Sequence, residues 1–186
     1  MHDADHFAEL LPRAPVRELQ FTLVRRVPLL AMTGSPPVDF LFTSGKAYRY
    51  NTRVVWCVYF AEDEATATAE YERHNAWRRE PFVTYFAEVR LRRVVDLCSS
   101  DSLAVLGVTG RDLRAPWVGA RKPTSPQSLG EAVSRQNSVA AIRFPSDAAR
   151  MKGFAGANVV IFRHCVRRPD YVHILGPTKK PLQKWP

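Results

Sequence analysis

The stretch that decides the fold is residues 54–78, VVWCVYFAEDEATATAEYERHNAWR. Its first eight residues are β-branched, aromatic and almost free of polar atoms, which predicts a strand buried on both faces. Asp63 is placed to cap a helix, and the acidic residues 62–64 fall at the positive end of that helix. Pro81 follows and cannot continue a helix, so the helix should end near residue 78. A buried strand that leads directly into a helix therefore forms the predicted centre of the fold.

Outside this stretch the chain is predicted to hold more strands than helices. Strands are expected at residues 18–24, 41–43, 47–50, 82–97, 139–144, 158–162 and 171–175. Helices are expected at 102–108 and 125–137, with Ser125 as cap and Pro126 at the first position of the second one. Residues 28–40 and 109–125 are rich in Gly and Pro and predict loops. Because strands and helices do not alternate regularly, we expect an α+β fold with a mostly antiparallel or split sheet and flanking helices.

The chain divides into one domain and two short ends. Residues 1–16 are interpreted as an N-terminal extension with one helical turn near residues 7–11, residues 17–176 as the domain, and residues 177–186 as a basic, Pro-rich tail with little order. The N-terminus lacks the basic and apolar segments of a secretory signal. No stretch approaches the roughly 20 apolar residues needed to cross a bilayer. We therefore expect a cytoplasmic protein without a membrane partner.

Composition narrows the class of partner without choosing one. The net charge of +9 in 186 residues favours anionic partners, namely nucleic acid, an acidic protein or a phosphorylated small molecule. The basic residues are dispersed, and no DNA-reading motif, Rossmann loop or P-loop is present. The three cysteines are far apart in sequence, which predicts buried or half-buried free thiols and neither a disulfide framework nor a metal site.

The region around the central strand and helix carries several side chains suited to chemistry. They are Arg49, Asn51, Tyr59, Glu70 and His74, together with Ser146 further along the chain. Glu70 and His74 are four residues apart and share one helix face. A turn between strand and helix can bring Tyr59 and Glu70 to one cleft. Ser146 follows a predicted strand, where a hydroxyl is well placed to line a site.

The ordered set of short motifs resembles the RES domain family, which is named for an arginine, a glutamate and a serine. The motifs are AYRYN at 47–51, YFA at 59–61, ATAE at 67–70, VDL at 95–97, SLG at 128–130, AIRFPS at 141–146 and GANVVIF at 156–162. Arg49 and Tyr59 are ten residues apart and Tyr59 and Glu70 eleven, as in the family. The family's paired glycines before the arginine are replaced by Ala47 and Tyr48, and a tyrosine there is expected to narrow the entrance to the site.

The resemblance implies a fold like that of ADP-ribosyltransferases and an enzyme that cleaves the nicotinamide–ribose bond of NAD. NAD would be the substrate, and no metal is expected. Known outcomes in the family are hydrolysis or phosphorolysis of NAD, or transfer of ADP-ribose to a protein. Such proteins are growth-inhibitory bacterial toxins, neutralised by an antitoxin with an Xre-like helix-turn-helix domain. The sequence is also compatible with a homo-oligomer.

The residue types fit the roles that the resemblance implies. A carboxylate at Glu70 can stabilise an oxocarbenium-like ribose, and Arg49 can hold the pyrophosphate by a bidentate contact. Tyr59 offers a flat face for nicotinamide, and Ser146 offers a hydroxyl for the amide or the ribose. Glu70, Arg49 and Tyr59 are therefore the predicted catalytic residues, and Asn51 and His74 join Arg49, Tyr59 and Ser146 as predicted NAD-binding residues.

Two readings from other classes stand beside the enzyme. A basic nucleic-acid-binding module would use the arginine-rich residues 90–93, with Tyr85 as a stacking platform. An inactive homologue would serve only to bind a partner, and the replacement of the paired glycines is what favours it. Without the resemblance, Arg49 would read as a surface residue and Glu70 as a solvated helix residue paired with Arg73 or His74.

Overall fold

A computed structural model describes residues 2–29, 46–75, 81–175 and 180–186. The strand predicted at 41–43, most of the loop predicted at 28–40 and the last turn of the helix predicted to end near 78 lie outside these residues. The helices are α1 Ala4–Leu10, α2 Glu64–Asn75, α3 Ser100–Leu106, α4 Gly110–Leu113, α5 Ser125–Gln136 and α6 Asp147–Met151. The strands are β1 Val16–Pro28, β2 Cys57–Ala61, β3 Phe82–Asp96, β4 Ala141–Pro145, β5 Ala157–Phe162, β6 Tyr171–Leu175 and β7 Pro181–Trp185. Two 3₁₀ turns, Leu11–Arg13 and Arg163–Cys165, complete the elements.

The seven strands form one sheet that curves back on itself. The order is β1-β2-β5-β4-β3-β6-β7, and β1 also pairs with β3 along nearly its whole length. β4 and β6 share the other edge of β3, with β4 beside its last residues and β6 beside its middle. Every pair is antiparallel except β3 with β4. The predicted α+β class, with a mostly antiparallel sheet and flanking helices in one domain, is confirmed.

β5 and β2 divide the core into two halves, because successive side chains of a strand point to opposite faces. On β5, Val159 and Ile161 face a core made by the long strands, whereas Val160 and Phe162 face a second core that includes α1, α3 and α5. β2 pairs with β5 over all five residues, and its side chains also divide between the two cores. The prediction of a central strand buried on both faces is confirmed, although the strand begins at Cys57 and Val54 is 81% exposed.

Both chain ends are more ordered than the sequence predicts. The N-terminal extension forms α1, whose Phe7 is buried in the second core together with Leu11. The prediction that the tail has little order is wrong for its last residues, because β7 pairs with β6 and buries Trp185. Buried apolar side chains stabilise both ends, because burying one large side chain contributes about 1.5–3 kcal/mol to the free energy of folding.

The structure differs from the sequence-based predictions at several short segments. Residues 48–51 form a tight turn closed by a bridge between Tyr48 and Asn51, and the strand predicted at 47–50 is wrong. The helix cap is Thr124, one residue earlier than predicted, because Thr124 and Gln127 make a reciprocal capping box. α6 was not predicted, since a five-residue helix is too short to show a period.

The three cysteines are free thiols, and Cys98 is exposed rather than buried. In the described part of the chain no helix is long and apolar enough to span a membrane.

Two glycines of the sequence motifs permit close approaches that any side chain would block. A Cβ at Gly130 in α5 would lie 1.7 Å from the carbonyl oxygen of Tyr50, and one at Gly156 would lie 2.3 Å from Thr66 Oγ1 in α2. Gly130 thus lets α5 pack directly on the turn that carries Arg49. Gly156 lets α2 pack against the segment that leads into β5.

Gly130→Ala should destabilise the fold strongly, because the new methyl group meets backbone that cannot rotate away. We expect the free energy of unfolding to fall by about 3 kcal/mol, the upper part of the range for overpacking. Urea denaturation followed by circular dichroism measures this change. Gly110→Ala is the matched control, since its Cβ meets only the flexible end of Arg114 at 3.0 Å. Equal stability of the two variants would contradict the packing described here.

Candidate active site

A cleft of about 1060 Å³ opens between α2, the turn at residues 46–51, the end of β4 and the connection from α4 to α5. Five of the six side chains singled out from the sequence line it: Arg49, Tyr59, Glu70, His74 and Ser146. They come from four separate segments of the chain. The fold therefore brings together most of the predicted set.

Hydrogen bonds hold the Glu70 carboxylate in one orientation. Ser146 Oγ and Asn158 Nδ2 both donate to Glu70 Oε1, each at 2.7 Å. The other oxygen, Oε2, lies 3.8 Å from His74 Nε2, as expected for residues one helical turn apart. The Glu70 side chain is 27% exposed. A carboxylate oxygen can accept more than one hydrogen bond, so Oε2 has capacity for a ligand hydroxyl.

Ser146 links the end of β4 to α6 and to Glu70. It is the N-cap of α6, where its hydroxyl oxygen accepts a hydrogen bond from the Ala149 N–H at 3.1 Å while its proton goes to Glu70. Its own backbone N–H donates to the Gly156 carbonyl at 2.8 Å. Ser146 is buried, and its hydroxyl is used in holding Glu70 and α6.

Tyr59 is fixed from behind by a network around Asn51. The Tyr59 hydroxyl accepts from the Tyr50 N–H at 2.8 Å and donates to Asn51 Oδ1 at 3.0 Å. Asn51 Nδ2 donates to the carbonyls of Lys46 and Thr52 at 2.8 and 2.9 Å. Burial raises the pKa of Tyr59 well above its usual value, so it is a neutral phenol. Asn51 is 0% exposed and lies outside the cleft lining, where it orients Tyr59.

Arg49 is tethered at the cleft wall. It donates a hydrogen bond to the Leu113 carbonyl, and its Nη2 lies 3.8 Å from Asp147 Oδ2. Asp147 is shared with Arg150 on the next turn of α6, at 3.4 Å. Arg49 therefore points into the site with part of its charge already balanced.

Arg25 is the cation that sequence reasoning missed. It lies on β1, lines the cleft and donates to the Tyr59 carbonyl at 3.0 Å. Among the described residues no carboxylate pairs with it, and burial lowers its pKa. The signal in the sequence is a pair of arginines, Arg25 and Arg26, inside an otherwise alternating strand. Asn158 was missed as a site residue for a similar reason, since it is the polar residue at the head of an apolar strand.

Arg143, by contrast, is fully engaged in ion pairs at the floor of the cleft. It binds both oxygens of Glu62, at 2.6 and 2.8 Å, and Asp96 at 3.0 Å, and Arg17 also binds Asp96. Burial favours the neutral form of Asp96, but the hydrogen bonds from the Cys98 N–H and from the two arginines outweigh it and lower the pKa of Asp96. This cluster is a structural element that ties β3 to β4.

The structure does not support a nucleic-acid-binding surface at residues 90–93 and Tyr85. Tyr85 is only 6% exposed and belongs to the core, so its ring is not available for stacking on a base. Arg90 and Arg92 pair with Glu18 and Asp170. The arginine-rich part of β3 is therefore largely neutralised by acidic neighbours.

Comparison with known proteins identifies the family of the chain and a shared fold. The sequence model of the RES domain family matches residues 25–180, and the chain belongs to that family. Among solved structures it is similar to a chain of the M. tuberculosis MbcT-MbcA toxin-antitoxin complex, with 13% sequence identity and a TM-score of 0.60. The match covers 97% of this chain and 91% of that one, which shows a shared fold. No curated protein matches the sequence.

Cys98 lies in the cleft wall, but its thiol is expected to be a poor nucleophile. Although Cys98 is exposed, desolvation of its sulfur by the surrounding cleft wall raises the pKa of Cys98 to about 11, and the thiolate is the reactive form. Alkylation of the native protein by iodoacetamide at Cys98, followed by mass spectrometry, should therefore be slow at pH 8 and rise about tenfold per pH unit up to pH 10. The unfolded chain is the control, with an ordinary thiol pKa. A rate in the native protein that levels off below pH 9 would contradict this environment.

Proposed function

We propose that this chain is a toxin that cleaves the nicotinamide–ribose bond of NAD, by hydrolysis or phosphorolysis. The observation that carries the proposal is the Glu70 carboxylate, held by Ser146 and Asn158 in a cleft large enough for a dinucleotide. Membership of the RES domain family supports the same chemistry.

Loss of nicotinamide leaves positive charge on the ribose ring, and Glu70 is suited to stabilise it. A carboxylate that is already oriented does not need to reorganise as this charge develops, which makes its electrostatic effect large. Its Oε2 can also accept a hydrogen bond from a ribose hydroxyl. Glycoside cleavage through oxocarbenium-like transition states generally depends on carboxylates placed in this way. Ser146 and Asn158 then act as positioning residues for Glu70.

Arg25, Arg49 and Tyr59 are the residues that would bind NAD in the cleft. Arg25 and Arg49 line the cleft and provide positive charge for the two phosphates of NAD. Arg25 is expected to attract a phosphate more strongly than Arg49, because no described carboxylate balances its charge. The Tyr59 ring lines the cleft, and a flat neutral face there suits the nicotinamide ring. Asn51 supports that ring from behind.

The proposal includes a protein partner. The structural neighbour comes from a toxin-antitoxin complex, and a cytoplasmic enzyme that drains NAD must be held inactive in its host. We propose an antitoxin with an Xre-like helix-turn-helix domain, whose association the net charge of +9 would accelerate if the contacting segment is acidic. Transfer of ADP-ribose to a protein would use the same carboxylate, and the products distinguish it from hydrolysis and phosphorolysis.

Glu70→Gln tests the catalytic carboxylate. The change keeps the shape of the side chain and removes its charge, so kcat for nicotinamide release should fall by about 100-fold or more. Expression of the parent chain alone should arrest growth of a bacterial host, and expression of Glu70→Gln should not. Nicotinamide release followed by chromatography measures the enzymatic effect.

Glu72→Gln is the matched control, because Glu72 is on the same helix and is paired at the surface with Lys152. It should retain full activity. A well-folded Glu70→Gln protein that cleaves NAD as fast as this control would exclude Glu70 from the mechanism.

Arg49→Lys tests the anion contact. Lysine keeps the charge but loses the planar fork that binds a phosphate and the Leu113 carbonyl together. We expect the Kd of an unreactive NAD analogue, measured by calorimetry, to rise about tenfold or more, since hydrogen bonds to charged groups contribute about 1.5–3 kcal/mol. Arg53→Lys, at an exposed position of the same segment, should bind as the parent does. Unchanged affinity in Arg49→Lys would mean that Arg49 does not bind the phosphates.

A further inference from the structure

An aromatic wall extends the cleft beyond Tyr59. The ring centroid of Tyr48 lies 6.1 Å from that of Tyr59 and 5.7 Å from that of Trp117. Tyr48 and Trp117, here called the outer rings, both line the cleft, and Tyr48 is 37% exposed. Together with Tyr59 they form an aromatic surface that a planar ligand can contact.

The fold holds this wall in place at both ends. Trp117 is in the connection from α4 to α5, and that connection is fixed where it begins and where it ends. At its start Arg49 donates to the Leu113 carbonyl, and at its end Gln127 Nε2 donates to the Tyr48 carbonyl at 3.0 Å. The segment that carries Tyr48 thus binds both ends of the connection that carries Trp117. The proximity of the two rings follows from these contacts.

We propose that Tyr48 and Trp117 form a subsite for the adenine ring of the dinucleotide. This inference rests on the proposed function, because it takes the scissile ribose to lie at Glu70. Nicotinamide is bonded directly to that ribose, and we place it at Tyr59, whose ring centroid lies 6.3 Å from that of Phe144, two residues before Ser146. The second ring is separated from it by two riboses and two phosphates, and so it reaches a more distant part of the wall.

The position of Arg49 supports this direction. Arg49 directly follows Tyr48, and its guanidinium lies near Asp147, the neighbour of Ser146. A phosphate held by Arg49 therefore lies between the Glu70–Ser146 centre and the outer rings. From there the adenosine part has Tyr48 and Trp117 within reach. Base stacking on aromatic side chains is a common source of affinity that does not depend on hydrogen bonding.

The aromatic residues on the α2 side of the cleft are less suited to this role. Phe82 lies beside Tyr71, with ring centroids 5.1 Å apart, but the guanidinium of Arg26 already covers the Phe82 ring at 4.6 Å from its centroid. A base would have to displace that cation. The Tyr48–Trp117 side requires no such displacement.

Tryptophan fluorescence tests the subsite directly. ADP-ribose and AMP, which carry adenine but no nicotinamide, should quench the emission of the parent protein, and nicotinamide mononucleotide should not. Since the chain has four tryptophans, Trp117→Phe assigns the signal: it keeps a ring in the wall, and the quenching by ADP-ribose should disappear. Trp56→Phe, outside the cleft lining, is the matched control and should keep the quenching.

Binding and kinetics supply the second measurement. Trp117→Ala and, independently, Tyr48→Ala should raise KM for NAD about tenfold, as expected for the loss of one stacked base, and leave kcat within about threefold. Calorimetry should find the Kd of nicotinamide mononucleotide unchanged in both variants. Parallel loss of affinity for both ligands would indicate a general structural defect and would overturn the subsite.

The remaining outcomes are equally decisive. Quenching by nicotinamide mononucleotide and not by ADP-ribose would place nicotinamide at the outer rings and overturn the inference. Turnover of NAD with no quenching and no change in KM for the two alanine variants would overturn the subsite and leave the proposed function intact. Quenching by ADP-ribose without any NAD cleavage would support the subsite and refute the proposed reaction.

Discussion

The hydrogen bonds to the Glu70 carboxylate are the interaction on which the rest of the site depends. They join α2 to residues 76 and 88 positions further along the chain, at the end of β4 and the beginning of β5. A carboxylate placed between secondary structure elements is costly unless donors satisfy it. Ser146 and Asn158 provide those donors, and the absence of a side chain at Gly156 lets the elements come close enough. The same contacts that satisfy Glu70 also leave one of its oxygens for a ligand.

Ion pairs balance many of the arginines of this basic chain, but they balance those of the cleft less completely. Many of its arginines are neutralised where they lie: Arg143 by Glu62 and Asp96, Arg90 by Glu18, Arg92 by Asp170. Arg49 is balanced in part by Asp147, and Arg25 has no described carboxylate beside it. Among the described residues, Arg25 therefore has less balancing charge nearby than the paired arginines of β3. A bound anion would compensate the half-buried guanidinium of Arg25, which pairs with no carboxylate among the residues that the structure describes.

The centre of this fold could be predicted from the sequence because its signals are local. An apolar run followed by a capping aspartate predicted β2 and α2, and the position of Ser146 after a strand predicted a hydroxyl at the site. Whether a side chain faces the cleft or is buried behind it could not be predicted in the same way. Asn51 looks like a ligand-binding residue in sequence, yet it is buried behind Tyr59, because only the fold determines which side of the turn faces the cleft. Arg25 is 45 positions before Glu70, and no local pattern links them. The order of the last residues was missed because proline and lysine mask the single buried ring, Trp185, that secures β7.

The central claim is that the cleft containing Glu70 cleaves the nicotinamide–ribose bond of NAD. Its most direct test is to incubate the purified chain with NAD, with and without phosphate, and to identify all products by ¹H and ³¹P NMR. We expect one nicotinamide for each NAD consumed, with ADP-ribose as the second product in the absence of phosphate and, if phosphate is the acceptor, ADP-ribose phosphate in its presence. Intact NAD after prolonged incubation with folded protein, or cleavage at the pyrophosphate to AMP and nicotinamide mononucleotide, would contradict it.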